Sequence, residues 1–142
     1  MRLWFVMFVI LAAAAPAVDA DDKDSLQGAW TAVSAEQNGR AAEDVKRHEL
    51  TFTGDRFTIR AKGKLVYQGG YRLDPSKNPA AIDFAHAEGR EKGKRWLGIY
   101  LLEGDGLKIC DNADDPRKAR PAAFATEPGS GWVLVSFKRA GR

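Results

Sequence analysis

Four aromatic side chains and one histidine are the residues whose types and spacing best suit a small-molecule site: Tyr67, Tyr71, Trp96, Tyr100 and His86. An aromatic ring offers a broad apolar face, and a hydroxyl, an indole N–H or an imidazole adds a polar group that orients a ligand. The four aromatics fall at alternating positions of predicted strands, which points them into the interior of a barrel. There they either line a ligand pocket or fill the core, because a small barrel is just wide enough for side chains to occupy it.

Sequence patterns of catalysis and of metal binding are absent. His48 and His86 stand alone, without the HExxH or CxxC spacing that holds zinc. The run Asp111–Asp115 offers the oxygen ligands that calcium prefers, but it lacks the glycine and the distal glutamate of an EF-hand loop. Ser130 lies in a predicted turn rather than in a nucleophile elbow. We therefore expect a non-enzymatic protein with no catalytic residues, no metal site and no cofactor.

The composition indicates one soluble globular domain. Of the 142 residues, 44% are hydrophobic and 29% are charged, which is ordinary for a packed protein and excludes a disordered or fibrous chain. The net charge of +3 is small, and the basic residues are interspersed with acidic ones instead of forming a stripe. This distribution argues against nucleic acid as a partner.

The first 20 residues have the pattern of a secretory signal peptide. Arg2 provides a positive start, Leu3–Ala15 is apolar and uncharged, and small residues follow it. Cleavage after Ala20 leaves a single domain of residues 21–142, and cleavage after Ala17 is the alternative. The apolar run is shorter than the about 20 residues of a spanning helix, although an uncleaved anchor stays open. We expect a secreted or periplasmic protein with no membrane attachment after cleavage.

Cys110 is the one cysteine of the chain, so no internal disulfide can form. It falls at an alternating position of the run Leu107–Cys110, which predicts a half-buried structural thiol. The fold must therefore depend on its hydrophobic core.

Apolar and polar residues alternate along residues 27–139, which predicts strands in place of helices. Gly54-Asp55 separates two such runs as a hairpin turn does, and Gly69-Gly70 within the next run predicts a bulge or a bend. Ala41–Arg47 is the one stretch with helical propensity. The spacing predicts an all-β fold: a small antiparallel up-and-down barrel of about eight strands, with one short helix after the first strand. A sandwich is the alternative.

One end of this barrel is expected to be closed by a structural plug. Gly28 opens the first strand, and the large indole of Trp30 follows it. A cation near the chain's end, Lys138 or Arg139, can lie across that indole. We interpret Gly28, Trp30 and Arg139 as this plug.

Several segments resemble a known family when they are taken together. They include Leu26-Gln27-Gly28-x-Trp30, Tyr71-x-Leu73-Asp74-Pro75-Ser76-Lys77 and Gly104-Asp105-x-Leu107-Lys108-x-Cys110. In these segments the chain resembles a family of small secreted domains of unknown function that is abundant in planctomycete bacteria. That family is similar to lipocalins, so the resemblance implies a lipocalin-like barrel. It implies no catalytic residues.

These observations favour a binding module for a small apolar or amphipathic ligand. The loops Asp74–Pro79 and Asp111–Gly131 are expected to rim the mouth of the barrel. The alternative is a domain of the cell envelope, structural or interacting, with a filled barrel that recognises protein or polysaccharide through its loops. The sequence leaves the oligomeric state open.

Overall fold

The computed structural model describes residues 18–141, which form a closed barrel of eight antiparallel strands with one additional strand. A helix, α1, precedes the strands at Val18–Leu26. The strands are β1 (Gly28–Gln37), β2 (Arg40–Ala41), β3 (His48–Thr53), β4 (Arg56–Ala61), β5 (Lys64–Asp74), β6 (Ala81–Gly89), β7 (Arg95–Glu103), β8 (Gly106–Asp111) and β9 (Val133–Arg139). From β3 onward each strand pairs with its successor in the chain, and β1 pairs with both β3 and β9 to close the ring. The predicted all-β up-and-down barrel is confirmed.

Alternation along each strand decides which side chains enter the barrel. On β8, Leu107, Ile109 and Asp111 face inward, whereas the Lys108 side chain between them is exposed. Cys110 shares the outward face with Lys108 and is buried beneath the segment that follows β8. Removal of the inward apolar side chains from water is the main force that stabilises the barrel.

Tight turns join most neighbouring strands. Asn38-Gly39 and Lys62-Gly63 have positive φ at both residues, as type I′ hairpin turns require. The short β2 pairs only with the end of β1 and lies outside the ring.

Gly69 lies at a bulge between β5 and β6. The register of the two strands shifts between Gln68 and Gly69, as the paired glycines predict. A Cβ atom at Gly69 would lie 1.9 Å from the backbone oxygen of Ala85, so no other residue fits there without movement of the backbone.

The short helical segment predicted after the first strand is present as one turn, and a further helix precedes the barrel. Within Ala41–Arg47 the structure has a single 3-10 turn at Val45–Arg47. Helix α1, which the sequence analysis did not predict, carries little apolar periodicity and is held by contacts of its last residues with the barrel. Most of the predicted signal peptide, residues 1–17, lies outside the described part of the chain.

The two ends of the barrel differ. We call the end that carries α1, the β3–β4 turn and the β5–β6 loop the closed end. The opposite end, where β1, β6 and β8 finish and the segment 112–132 begins, is the open end. The predicted rim is therefore half correct: the 111–131 segment borders the open end, whereas Asp74–Pro79 connects β5 to β6 at the closed end. The antiparallel order forces this separation, because successive loops alternate between ends.

Candidate functional site

The barrel encloses a cavity of about 270 Å³ that reaches the open end. Its walls are mainly apolar and aromatic, with polar side chains around the mouth. The apolar wall comprises Val45, Leu50, Ile59, Tyr67, Phe84, Trp96, Ile109, Ala113, Val133, Val135 and Phe137, and the polar wall comprises Gln37, Asp44, His48, Arg90, Asp111 and Asp114.

Below the cavity, aromatic rings fill the closed half of the barrel. Phe52 packs edge-on against Tyr71, with ring centroids 4.8 Å apart, and Phe57 packs edge-on against Phe84 at 4.9 Å. Of these four rings only that of Phe84 borders the cavity, and the other three fill the space beneath it. The two readings of the sequence, a filled core and a lined pocket, thus apply to different halves of one barrel.

An aromatic cluster of Tyr67, His86 and Trp96 forms one side of the open half. The Trp96 ring lies 4.9 Å from that of Tyr67 and 4.0 Å from the imidazole of His86. Tyr67 and Trp96 border the cavity, and His86 lies behind them against Phe57, at 5.3 Å. The structure therefore brings together three of the five residues that the sequence analysis selected.

Polar atoms of this cluster are buried without partners. His86 is 4% exposed and Trp96 is 6% exposed. Neither imidazole nitrogen of His86 nor the indole N–H of Trp96 has a hydrogen-bond partner among the described residues. Burial lowers the pKa of His86 to about 4, against a weaker opposing effect of Glu91, so the ring is neutral at pH 7.

Asp111 places a carboxyl group in the wall of the cavity. It is the last residue of β8, shares the inward face with Ile109, and is 8% exposed. Its Oδ1 accepts a hydrogen bond of 3.1 Å from the backbone N–H of Ala113, and burial raises the pKa of the carboxyl to about 7. Gly98 lies opposite on β7, where a Cβ atom would be 2.8 Å from the Cβ of Asp111. The glycine thus makes room for the carboxyl.

The mouth of the cavity carries further charged groups. Gln37 Nε2 donates a hydrogen bond of 2.6 Å to Asp114, which ties the end of β1 to the 112–132 segment. Arg90 Nη2 donates to the Tyr67 hydroxyl at 3.1 Å. Burial lowers the pKa of His48, while the nearby Asp44 opposes this shift, so His48 is neutral at pH 7.

Tyr71 and Tyr100 lie in the closed half and do not border the cavity. The Tyr71 hydroxyl donates to the backbone oxygen of Gly54 at 2.6 Å and accepts from Gln27 Nε2 at 3.0 Å. The Tyr100 hydroxyl donates to Asp22 at 2.6 Å. Tyr100 therefore joins the barrel to α1, whereas Tyr71 joins the β3–β4 turn to Gln27, the residue between α1 and β1. The strand parity of both tyrosines is the inward one that was predicted.

Gly28, Trp30 and Arg139 meet at the closed end. The guanidinium carbon of Arg139 lies 4.2 Å from the centroid of the fully buried Trp30 ring, and the indole N–H donates to Leu26 O at 2.8 Å. Gly28 has φ of +108°, a conformation that L side chains rarely adopt, and the Arg139 side chain passes beside it. The structure thus brings together the three residues that the sequence analysis interpreted as a plug.

The segment 112–132 crosses the outer face of the barrel before β9 begins. The buried Asn112 accepts a hydrogen bond of 2.8 Å from Leu97 N–H and donates one of 2.7 Å to Lys118 O. Arg120 Nη1 donates to Asp83 at 2.6 Å and to Gly98 O at 2.8 Å. These bonds fix the segment that supplies Ala113 and Asp114 to the mouth.

Cys110 is fully buried under the same segment, with Sγ 3.6 Å from Ala125 O. Burial raises the pKa of the thiol to about 11, with a smaller contribution from Asp111. The thiol is therefore protonated and shielded, as in a structural cysteine, and is more deeply buried than the sequence analysis expected.

Sequence reasoning missed the polar part of the cavity, chiefly Asp111. The signal was present, because Leu107, Ile109 and Asp111 share one parity. The residue was instead grouped with the acidic run that follows it.

Among residues 18–141 the structure brings no three His, Cys, Asp or Glu side chains close enough to hold a metal ion. Within the same residues no helix is both long and apolar enough to cross a lipid bilayer.

The fold and the site define the class of this molecule: an antiparallel up-and-down barrel that is filled at one end and hollow at the other. No family model, no curated protein and no solved structure matches the chain.

Proposed function

We propose that this protein is a non-enzymatic binding module that holds a small amphipathic molecule in its barrel. The observation that carries the proposal is the cavity of about 270 Å³, which combines an apolar interior with polar groups at its mouth. Ligand sites of proteins typically have this division, in which the apolar wall supplies affinity and few polar groups supply orientation. The lipocalin-like barrel that the family resemblance implies favours the same role.

The size of the cavity limits the ligand. Since a dry cavity of about 150 Å³ accepts benzene, a volume near 270 Å³ suits about ten non-hydrogen atoms. The ligand's apolar body would lie against Trp96 and Tyr67, and its polar end would face the mouth.

Secretion is part of the proposal and is supported by the signal-peptide pattern of residues 1–20. A binding module released from the cell would meet its ligand outside the cytoplasm. The mass of the mature protein tests this part, because removal of residues 1–20 leaves a chain that starts at Asp21.

Native mass spectrometry of the protein from its own source, compared with the denatured mass, tests the binding role. We expect an additional mass that is lost on denaturation. The tryptophan fluorescence of the stripped protein should then change when the extracted compound is added back. Trp96→Phe should abolish this change, whereas the matched variant Trp132→Phe should retain it, because Trp132 lies outside the cavity and bonds Ala119 O at 3.0 Å.

A protein that carries no additional mass, together with a Trp96 signal that no extract of the source alters, would contradict the proposal. That result would instead support the domain of the cell envelope, which acts through its loops.

A further inference from the structure

We infer that the cavity recognises its ligand through a protonated amine, which pairs with the carboxylate of Asp111. The inference rests on the proposed binding role and adds the chemical class of the ligand. Its structural basis is a nearly buried acidic side chain, 8% exposed, on the inward face of β8 in the cavity wall.

Asp111 lacks a cationic partner. Within residues 18–141 the one hydrogen bond to its side-chain carboxyl group comes from Ala113 N–H. No Lys, Arg or His nitrogen of these residues lies within 4.0 Å of the carboxyl oxygens. Burial of a carboxylate without a countercharge is costly, and proteins normally satisfy such groups with ion pairs and several hydrogen bonds. A bound amine would supply both the positive charge and the missing donors.

The other charged groups of the cavity wall favour a cation. They are Asp44 before the 3-10 turn, His48 on β3, Arg90 after β6 and Asp114 after β8, and the other strands that line the cavity contribute uncharged side chains. With His48 neutral, the charged groups in the cavity wall are three carboxyl groups, those of Asp44, Asp111 and Asp114, and one cation. That cation, Arg90, is exposed and bonded to the Tyr67 hydroxyl.

The aromatic wall suits the rest of such a ligand. Trp96 and Tyr67 present their rings to the same cavity, and aromatic faces attract both apolar groups and ammonium groups. Together with the volume, this points to a primary amine on a short apolar or aromatic body.

Asp111 also has a local structural role, which the test must separate from binding. Its Oδ1 accepts from the N–H two residues ahead and so stabilises the turn that leaves β8. Asparagine keeps this acceptor and the side-chain shape while it removes the charge. Asp111→Asn is therefore the informative substitution, and Asp115→Asn is its matched control, because Asp115 lies in the same segment but outside the cavity, bonded to Arg117.

The charge state of Asp111 gives a second readout that needs no variant. Its pKa of about 7 means that the empty cavity holds a largely neutral carboxyl below pH 7 and a carboxylate above it. An amine binds the carboxylate, so its affinity should fall as the pH decreases through 7, with uptake of a proton by the site on release. A neutral ligand should show a much smaller change.

The experiment is calorimetric titration of the stripped protein with phenethylamine, phenethyl alcohol and phenylacetate, which share one apolar body and differ in the charge of the end group. At pH 8 we expect the amine to bind at least about tenfold more tightly than the alcohol, as a hydrogen-bonded charge pair implies. Asp111→Asn should remove this advantage and leave the alcohol unchanged, and Asp115→Asn should alter neither. Lowering the pH of the wild-type protein to 5 should also remove the advantage.

Equal binding of amine and alcohol, tighter binding of phenylacetate, or an amine affinity that Asp111→Asn does not change would each overturn the inference and leave the binding role intact. Failure of all three probes to bind the folded protein at millimolar concentration would overturn the inference together with the proposed function.

Discussion

The guanidinium group of Arg139, at the end of β9, covers the indole of Trp30, at the start of β1, with 4.2 Å between the guanidinium carbon and the ring centroid. Arg139 also donates hydrogen bonds to Ser25 O at 2.6 Å and to Gln27 O at 3.1 Å. One side chain therefore joins the last strand to the first strand and to the segment before it. The pair closes the ring at the end opposite the cavity.

We predict that Trp30→Ala lowers the free energy of unfolding by about 3 to 5 kcal/mol, because it leaves a large void in a fully buried site. Arg139→Lys should cost less, about 1 to 2 kcal/mol, since the charge stays while the planar stacking and the forked hydrogen bonds are lost. Urea unfolding measures both. Lys138→Arg, on the exposed face of β9, is the control. An Arg139→Lys variant as stable as the wild type would show that the stacking contributes little.

Gly69 should tolerate no side chain, although its neighbour Gly70 should. A Cβ at Gly69 would meet the Ala85 backbone oxygen at 1.9 Å, whereas one at Gly70 meets only ordinary contacts, at 3.6 Å from Asp55 O. We expect Gly69→Ala to lower the free energy of unfolding by more than about 2 kcal/mol and Gly70→Ala by less than about 1 kcal/mol. Equal effects in thermal or urea unfolding would mean that the bulge adapts easily.

His86 should make the protein sensitive to acid. The folded pKa is about 4 and the unfolded value is near 6.5, so the unfolded chain takes up a proton first as the pH falls. Stability that is present above pH 6.5 is thus lost toward pH 4, by up to about 3 kcal/mol. His86→Leu should retain more of its stability at pH 4.5 than the wild type, relative to pH 7. If the free energy of unfolding changed with pH in the same way in the wild type and in His86→Leu, the prediction would be contradicted.

Asp111 should give the folding stability the opposite dependence on pH. Its folded pKa of about 7 lies above the ordinary 3.8, so the contribution of this group is most favourable below pH 3.8 and is lost as the pH rises to 7. The loss is of the order of 4 kcal/mol. Asp111→Asn should therefore unfold at higher urea concentration than the wild type at pH 8. At pH 4 the difference should be small. A variant less stable at pH 8 would show that the carboxylate is satisfied by the fold.

The sequence was sufficient to predict the barrel, because alternation and glycine turns act locally. The hairpin turn at Gly54-Asp55 and the bulge at Gly69 followed from such local patterns. Helix α1 was not predictable in the same way, since hydrogen bonds from Arg139 to Ser25 O and from the Tyr100 hydroxyl to Asp22 hold it to distant parts of the chain.

The candidate site was predictable only in part. Strand parity indicates the face of a residue but not its height in the barrel. Tyr67 and Tyr71 share one parity on β5, yet four residues of strand separate them by about 13 Å, and only Tyr67 reaches the cavity. Asp111 was missed for another reason: the end of a strand that leads into an acidic loop resembles the loop itself.

Helix α1 and the end of β9 both lie at the closed end, which determines how the barrel is oriented when it is attached to a tag or a surface. Helix α1 begins there at Val18, and β9 ends there at Arg139. A tag, a tether or a fused domain joined at Asp21 within α1, or after β9, therefore leaves from the side away from the cavity. Immobilised through either extremity on a sensor surface, the barrel would present its mouth to the solution.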